Sequence, residues 1–245
     1  MNDSNEIVNP TLAPIKNVAL CSLALEQAIN RPSHLPGMVC FYGPSGWGKS
    51  TAAAYTANKH NAYYVECKSS WTKGALLDAI LKEMGIVPGK MLYQKTEQAS
   101  EQLAKSCRPL IIDELDHIVH KKAVEIIRDL YDGSNAPILL IGEDDIETKL
   151  LRWERFHNRV LVWQPAQPAD LEDTRKLAKL YCKHVEIADD LLTHAQQQSL
   201  GNTTRICINL YKVQQEALNM GLSAIDRDAW GDREFYTGNA PRRKV

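Results

Sequence analysis

Gly43-Pro-Ser-Gly-Trp-Gly48-Lys49-Ser50-Thr51 is the stretch best suited to chemistry. Two glycines bracket four residues, and a lysine and two hydroxyls follow at once. Glycines let successive backbone N–H groups converge on one anion, and a helix starting at Lys49 aims the positive end of its dipole at the same point. The spacing satisfies G-x-x-x-x-G-K-[ST] in full, which wraps Gly43, Pro44, Ser45, Gly46, Trp47, Gly48, Lys49, Ser50 and Thr51 around a polyphosphate. Lys49 would reach the β- and γ-phosphates, and the Ser50 hydroxyl would hold Mg²⁺. Trp47 reads as a shape filler in the loop, ahead of a flat contact to DNA or a neighbour.

Leu110-Ile-Ile-Asp113-Glu114 brings two carboxylates to the end of an apolar run. Adjacent acids repel, and a cation between them and the phosphate relieves that cost. Asp113 suits a direct or water-mediated Mg²⁺ contact, and Glu114 suits polarising an attacking water. The competing reading is an acidic pair that caps a helix. His117 and His120 follow at i, i+3, but with no third metal ligand nearby they read as a helix flank. Arg152, Arg155 and Arg159 cluster in Leu151-Arg-Trp-Glu-Arg-Phe-His-Asn-Arg159. Such an arginine can stabilise the γ-phosphate charge of a neighbouring subunit. Arg155 is the first choice; a solvated face pairing with Glu154 is the alternative. Arg205 falls in the first turn of a helix that Asn202 or Thr203 can cap, where a cation opposes the dipole. That placement points to a task such as reaching a phosphate.

Alternating patterns position these groups. Strands are expected at 38–42, 62–67, 109–113, 137–142 and 159–163, with helices at 49–59, 72–84, 93–106, 115–131 and 146–157 between them. Only a short lead is expected before the first strand. Strands alternating with helices imply a parallel sheet, and unalternating apolar runs such as Pro109–Asp113 suit burial on both faces. After the proline-punctuated Gln164-Pro-Ala-Gln-Pro168 the pattern is helical only, over 170–184, 189–199 and 203–220. The expected division is an α/β core over residues 1–163, a helical lid over 164–221 and a loosely ordered, basic-ended tail over 222–245.

Bulk composition narrows the partners. A net charge of −1 over 245 residues supplies no general positive field, so any DNA contact needs a local patch. The six cysteines are scattered without a C-x-x-C pair, as expected of reduced, buried thiols in a cytosolic protein. The polar, acidic start does not read as a signal peptide, and no apolar run approaches a membrane span.

Taken together, these motifs resemble the AAA+ class of P-loop ATPases. The resemblance runs from Walker A at Gly43–Thr51 and Walker B at Leu110–Glu114 through an arginine-finger region at Arg152–Arg159 to a sensor-2 arginine at Arg205. Within that class the chain is most similar to the B-type transposition ATPases of the phage Mu B, IstB and TnsC kind. Its size, the Ile-Leu-Leu-Ile-Gly run and Arg-Trp-Glu-Arg-Phe-His-Asn-Arg-Val carry this likeness. The resemblance implies a three-layer αβα core with a five-stranded parallel sheet and a small C-terminal helical lid. It implies Mg²⁺-dependent ATP hydrolysis using Lys49, Glu114, Arg155 and Arg205. It further implies a homo-oligomeric ring or filament on duplex DNA, largely independent of sequence, that marks targets for a transposase which stimulates hydrolysis. The setting would be a bacterial cytosol, with a phage or prophage origin and no membrane association. Lys68 and Lys73 fall where such proteins touch DNA, with a solvated loop the alternative for each. One departure stands out: the sensor-1 position holds Glu143, followed by Asp144 and Asp145, and an acid there repels the γ-phosphate unless it turns away or a cation holds it. A replication initiator or helicase loader of the same class is the alternative function. A metabolite kinase would need an arginine-rich lid beyond Arg205, and a non-hydrolysing scaffold would not need Lys49, Asp113 and Glu114 together.

Overall fold

The computed structural model describes residues 12–239. By internal contacts the chain divides into two units, Asn17–Gln167 and Pro168–Val245 together with Met1–Lys16.

The larger unit begins with α1 (Lys16–Ile29), then β1 (Met38–Tyr42), α2 (Lys49–Lys59), β2 (Tyr63–Glu66), α3 (Lys73–Glu83) and α4 (Leu92–Ser106). It continues through β3 (Leu110–Asp113), α5 (Asp116–Val119), α6 (Val124–Ser134), β4 (Ile138–Gly142), α7 (Ile146–Leu151), α8 (Glu154–His157) and β5 (Val160–Pro165). The strands form one parallel sheet in the order β2-β3-β4-β1-β5. β3 and β4 are buried along their whole length, which is why their sequences are unbroken apolar runs. Leu76, Leu77, Ile80 and Leu81 of α3, Leu103 of α4 and Ile127 and Leu130 of α6 share one hydrophobic cluster with Met38, Leu110 and Ile138 of the sheet. Because all five strands run the same way, the segments after β1, β3 and β4 leave from one edge of the sheet. That edge gathers the phosphate loop, the acidic pair and Glu143.

Several elements depart from expectation. A helix, α1, stands in what was expected to be a short lead. The helix expected over 115–131 is two pieces, with Lys122 at φ 57 in the break between them. Gly133 lies inside α6 rather than closing it, and the stop comes at Asn135 in the left-handed region. The helix expected over 146–157 likewise splits into α7 and α8 at Arg152 and Trp153.

The smaller unit holds α9 (Leu171–Tyr181), β6 (Glu186–Ile187), α10 (Asp189–Gln198), α11 (Thr203–Asn219), β7 (Ala224–Ile225) and α12 (Arg227–Trp230). It is therefore not helical only: β6 and β7 pair in parallel. Asp170, Asn202 and Asp226 cap α9, α11 and α12, each side chain accepting a backbone N–H three residues on. The expectation of a loose tail from residue 222 is corrected through residue 239. Trp230 is fully buried, stacks on Phe235 at 5.0 Å, and both belong to the hydrophobic core of this unit with Leu191, Val213 and Ile225. Its indole N–H donates to the Arg233 carbonyl at 2.9 Å. The basic end, Pro241 to Val245, lies outside the described residues.

Candidate nucleotide site

The phosphate loop leaves β1 and enters α2 through Gly48, whose φ of 77 is the left-handed conformation that a side chain resists. Gly43 is required for a different reason. A Cβ there would stand 3.0 Å from the Cβ of Ala166, so the loop passes tight against the segment after β5. The Lys49 ammonium donates to the carbonyls of Gly43 at 2.7 Å and Pro44 at 3.0 Å. Burial holds its pKa below the ordinary lysine value, opposed by the charges of Glu114, Asp113, Glu143 and Asp116. Pro44, Gly46 and Trp47 are half-buried, while Ser45, Ser50 and Thr51 are exposed, with Ser50 and Thr51 in the first turn of α2.

Asn17 of α1 was not singled out by any motif, yet it builds this loop. Its amide donates to the carbonyls of Trp47 and Gln167, each at 2.8 Å, and its oxygen accepts the Gln167 N–H at 2.8 Å. It is 2% exposed. Only a polar residue on the buried face of α1 hinted at it, and that required the helix to be known.

Asp113 closes β3 and is 1% exposed. Its Oδ1 accepts the Glu114 N–H and its Oδ2 accepts the Tyr64 phenol, both at 2.8 Å. Burial, followed by the Asp113 charge, pushes that phenol far above the usual tyrosine range, so it stays a donor. Glu114 sits at φ 55, a conformation costly for a residue with a side chain. Its carboxyl is raised above the ordinary value by burial and by Asp113, against the pull of His117 and Lys49. His117 Nε2 lies 4.0 Å from Glu114 Oε2, and both His117 and His120 are exposed. The donor set suits a hard cation: an ionised carboxylate offers about four acceptor positions, Asp113 spends two, and the Ser50 hydroxyl has no partner among the described residues.

Glu143 is tied to its surroundings through its backbone, and the nearby cation is shared by two other acids. Its N–H donates to Asp116 Oδ2 at 2.7 Å, and its carboxylate groups with those of Asp116 and Asp145. The Lys149 ammonium bridges Asp116 at 2.7 Å and Asp145 at 2.6 Å. Asp116, two residues past Glu114 at the start of α5, therefore ties the segment after β3 to the segment after β4.

The arginines divide. Arg159 is committed to Asp132, with both contacts at 3.0 Å. Arg152 and Arg155 are exposed, and their guanidinium groups make no hydrogen bond or ion pair with the described residues. Lys68 pairs with Glu66, and Lys73 lies 3.9 Å from Glu125. Arg205 belongs to the other unit, where Asn202 accepts its N–H at 3.0 Å and a Cβ on Gly238 would meet its guanidinium at 2.9 Å.

A family model described as an AAA domain matches residues 33–150. The fold is that of the AAA+ P-loop NTPases. Among solved structures, the ADP form of the ORC2 protein of Aeropyrum pernix is 16% identical, with a TM-score of 0.63 over 92% of this chain and 69% of that one. The ORC1 protein of the same organism, in complex with DNA, is 15% identical with a TM-score of 0.60, covering 87% and 62%. The RuvB Holliday junction branch migration motor of Thermotoga maritima is 22% identical with a TM-score of 0.58, covering 87% and 66%. No curated protein matches the chain. Glu143 follows directly on the end of β4 at Gly142. No helix among the described residues is long and apolar enough to cross a membrane.

Proposed function

We propose that this protein is a Mg²⁺-dependent ATPase whose nucleotide state controls its assembly on duplex DNA, and that it serves target selection in DNA transposition. The observation that carries the ATPase reading is the placing of the complete phosphate loop after β1 and of Asp113 and Glu114 at the end of β3, at the same ends of parallel strands of one sheet. Lys49 and the loop N–H groups would bind the β- and γ-phosphates. Asp113 and Ser50 would hold Mg²⁺, which supplies charge neutralisation between the phosphates. Glu114, its carboxyl outside the buried strand, would orient the attacking water. Arg155, exposed and unpartnered, would complete the site of a neighbouring copy, and Arg205 would reach the phosphates from the helical unit. Lys68 and Lys73 would exchange their carboxylate partners for DNA phosphates.

Replication initiation or helicase loading is the second reading, favoured by the likeness to ORC proteins over most of the chain. Duplex binding at two salt concentrations tests both. We expect binding with ATP, loss with ADP or in Lys49→Ala, and persistence in Glu114→Gln because hydrolysis is blocked. Affinity should fall steeply with salt, as phosphate contacts require. Extended protection of any duplex supports target selection. Discrete protection of one sequence supports the initiator reading. Absence of DNA binding in every nucleotide state removes both.

A further inference from the structure

Tyr64 belongs to no motif, yet it makes a side-chain contact to Asp113 from the edge strand β2. We propose that Tyr64 is a positioning residue for the metal-holding carboxylate, its phenol fixing the plane of Asp113 in which Mg²⁺-nucleotide is received. The proposal rests on the ATPase reading above.

The geometry supplies the argument. An aspartate has a terminal torsion that is broad rather than staggered, so its rotamer alone leaves the carboxylate plane free. The bond from the Glu114 N–H secures only Oδ1, and secures it from the next residue in the chain. The Tyr64 phenol takes Oδ2 from a different strand, and two anchors on two oxygens set the plane. The register explains why a tyrosine is needed. Tyr64 stands opposite Ile111, two residues short of Asp113 and on the same face. That offset is about 6.6 Å along the strand, with the gap between strands to cross as well, which is beyond the reach of serine, threonine or asparagine. Groups one shell out from a metal typically change its affinity by about 10- to 100-fold when removed.

The test uses the full chain carrying Tyr64→Phe, which keeps the ring and removes only the donor. Binding of a fluorescent ATP analogue is titrated with Mg²⁺ and repeated in EDTA. We expect the Mg²⁺ concentration for half-maximal tightening to rise about tenfold, with affinity in EDTA unchanged. A double-mutant cycle guards against a general fold effect: Asp113→Asn should cost Mg²⁺ response in the wild type but little more in Tyr64→Phe. An unchanged Mg²⁺ requirement in Tyr64→Phe, or an equal loss of affinity with and without Mg²⁺, overturns the proposal and leaves the ATPase reading standing. Failure of the wild type to bind the analogue at all overturns both.

Discussion

Glu143 stands beside Asp116 and Asp145, and Lys149 offsets the charges of those two neighbours. Asp116 and Lys149 are 10% and 19% exposed at their side chains, so their bond is screened little by water. Removing the ammonium leaves Asp116 and Asp145 without their counter-ion, with Glu143 beside them. Lys149→Gln should therefore lower stability by about 2 kcal/mol, read from urea unfolding. On the proposed sensor-1 placement of Glu143, it should also weaken ATP binding more than ADP binding. Equal weakening of the two nucleotides would mean that the cluster only braces the fold. Asn17 works the same way for the loop: three hydrogen bonds from one amide hold two carbonyls and an N–H that have little else to bond.

Caps and breaks decide where the secondary-structure elements end. Asp170 caps α9 and also accepts Lys16 at 2.6 Å, and the Lys16 bond followed by the Asp173 N–H holds its carboxyl below the ordinary value. A depressed carboxyl stabilises the fold above its unfolded pKa and loses that contribution as pH falls through the folded one. Asp170→Ala should thus cost about 1 kcal/mol at neutral pH, and the cost should shrink as pH falls below the ordinary aspartate value of 3.8. Asp170→Asn, which can still cap, should remove the pH dependence and keep most of the stability. Chemical denaturation at several pH values checks both.

Such local devices also explain what could be read without coordinates. The phosphate loop and the acidic pair were legible because each is contiguous and its spacing is the mechanism. The sheet was legible because buried parallel strands are unbroken apolar runs. α1 was not, because Leu23 and Ile29 are exposed while Asn17 and Ser22 are buried, which blurs its stripe. The breaks at Lys122 and Trp153 were hidden because neither is a glycine or proline. β6 and β7, two residues each, are too short for any period. Tyr64 and Asn17 act on partners far away in sequence, and spacing carries no trace of that.

For the molecule as a whole, Arg155 and Glu114 invite a test that needs more than one copy. If the arginine completes a neighbour's site, Arg155→Ala and Glu114→Gln should each abolish hydrolysis while both still bind ATP. Mixing the two dead variants should restore part of the activity, since some interfaces then pair an intact glutamate with an intact arginine. Steady-state phosphate release across mixing ratios gives the answer, and no recovery at any ratio would mean that Arg155 does not act on a neighbour's site.

The smaller unit is made from two separated pieces of chain, and this bears on how the protein comes into being. Lys16 meets Asp170 and Asp173 across 154 and 157 residues of sequence. A nascent chain presents residues 12–16 first, yet their partners arrive only after the whole sheet has been synthesised. Closing so long a loop by diffusion is entropically costly. Once the larger unit has folded, Asn17 is bonded to Gln167, and the residues on either side of that junction are already neighbours. A larger unit that folds first lowers the cost of bringing the two pieces together, so slowing the sheet should also delay completion of the helical unit.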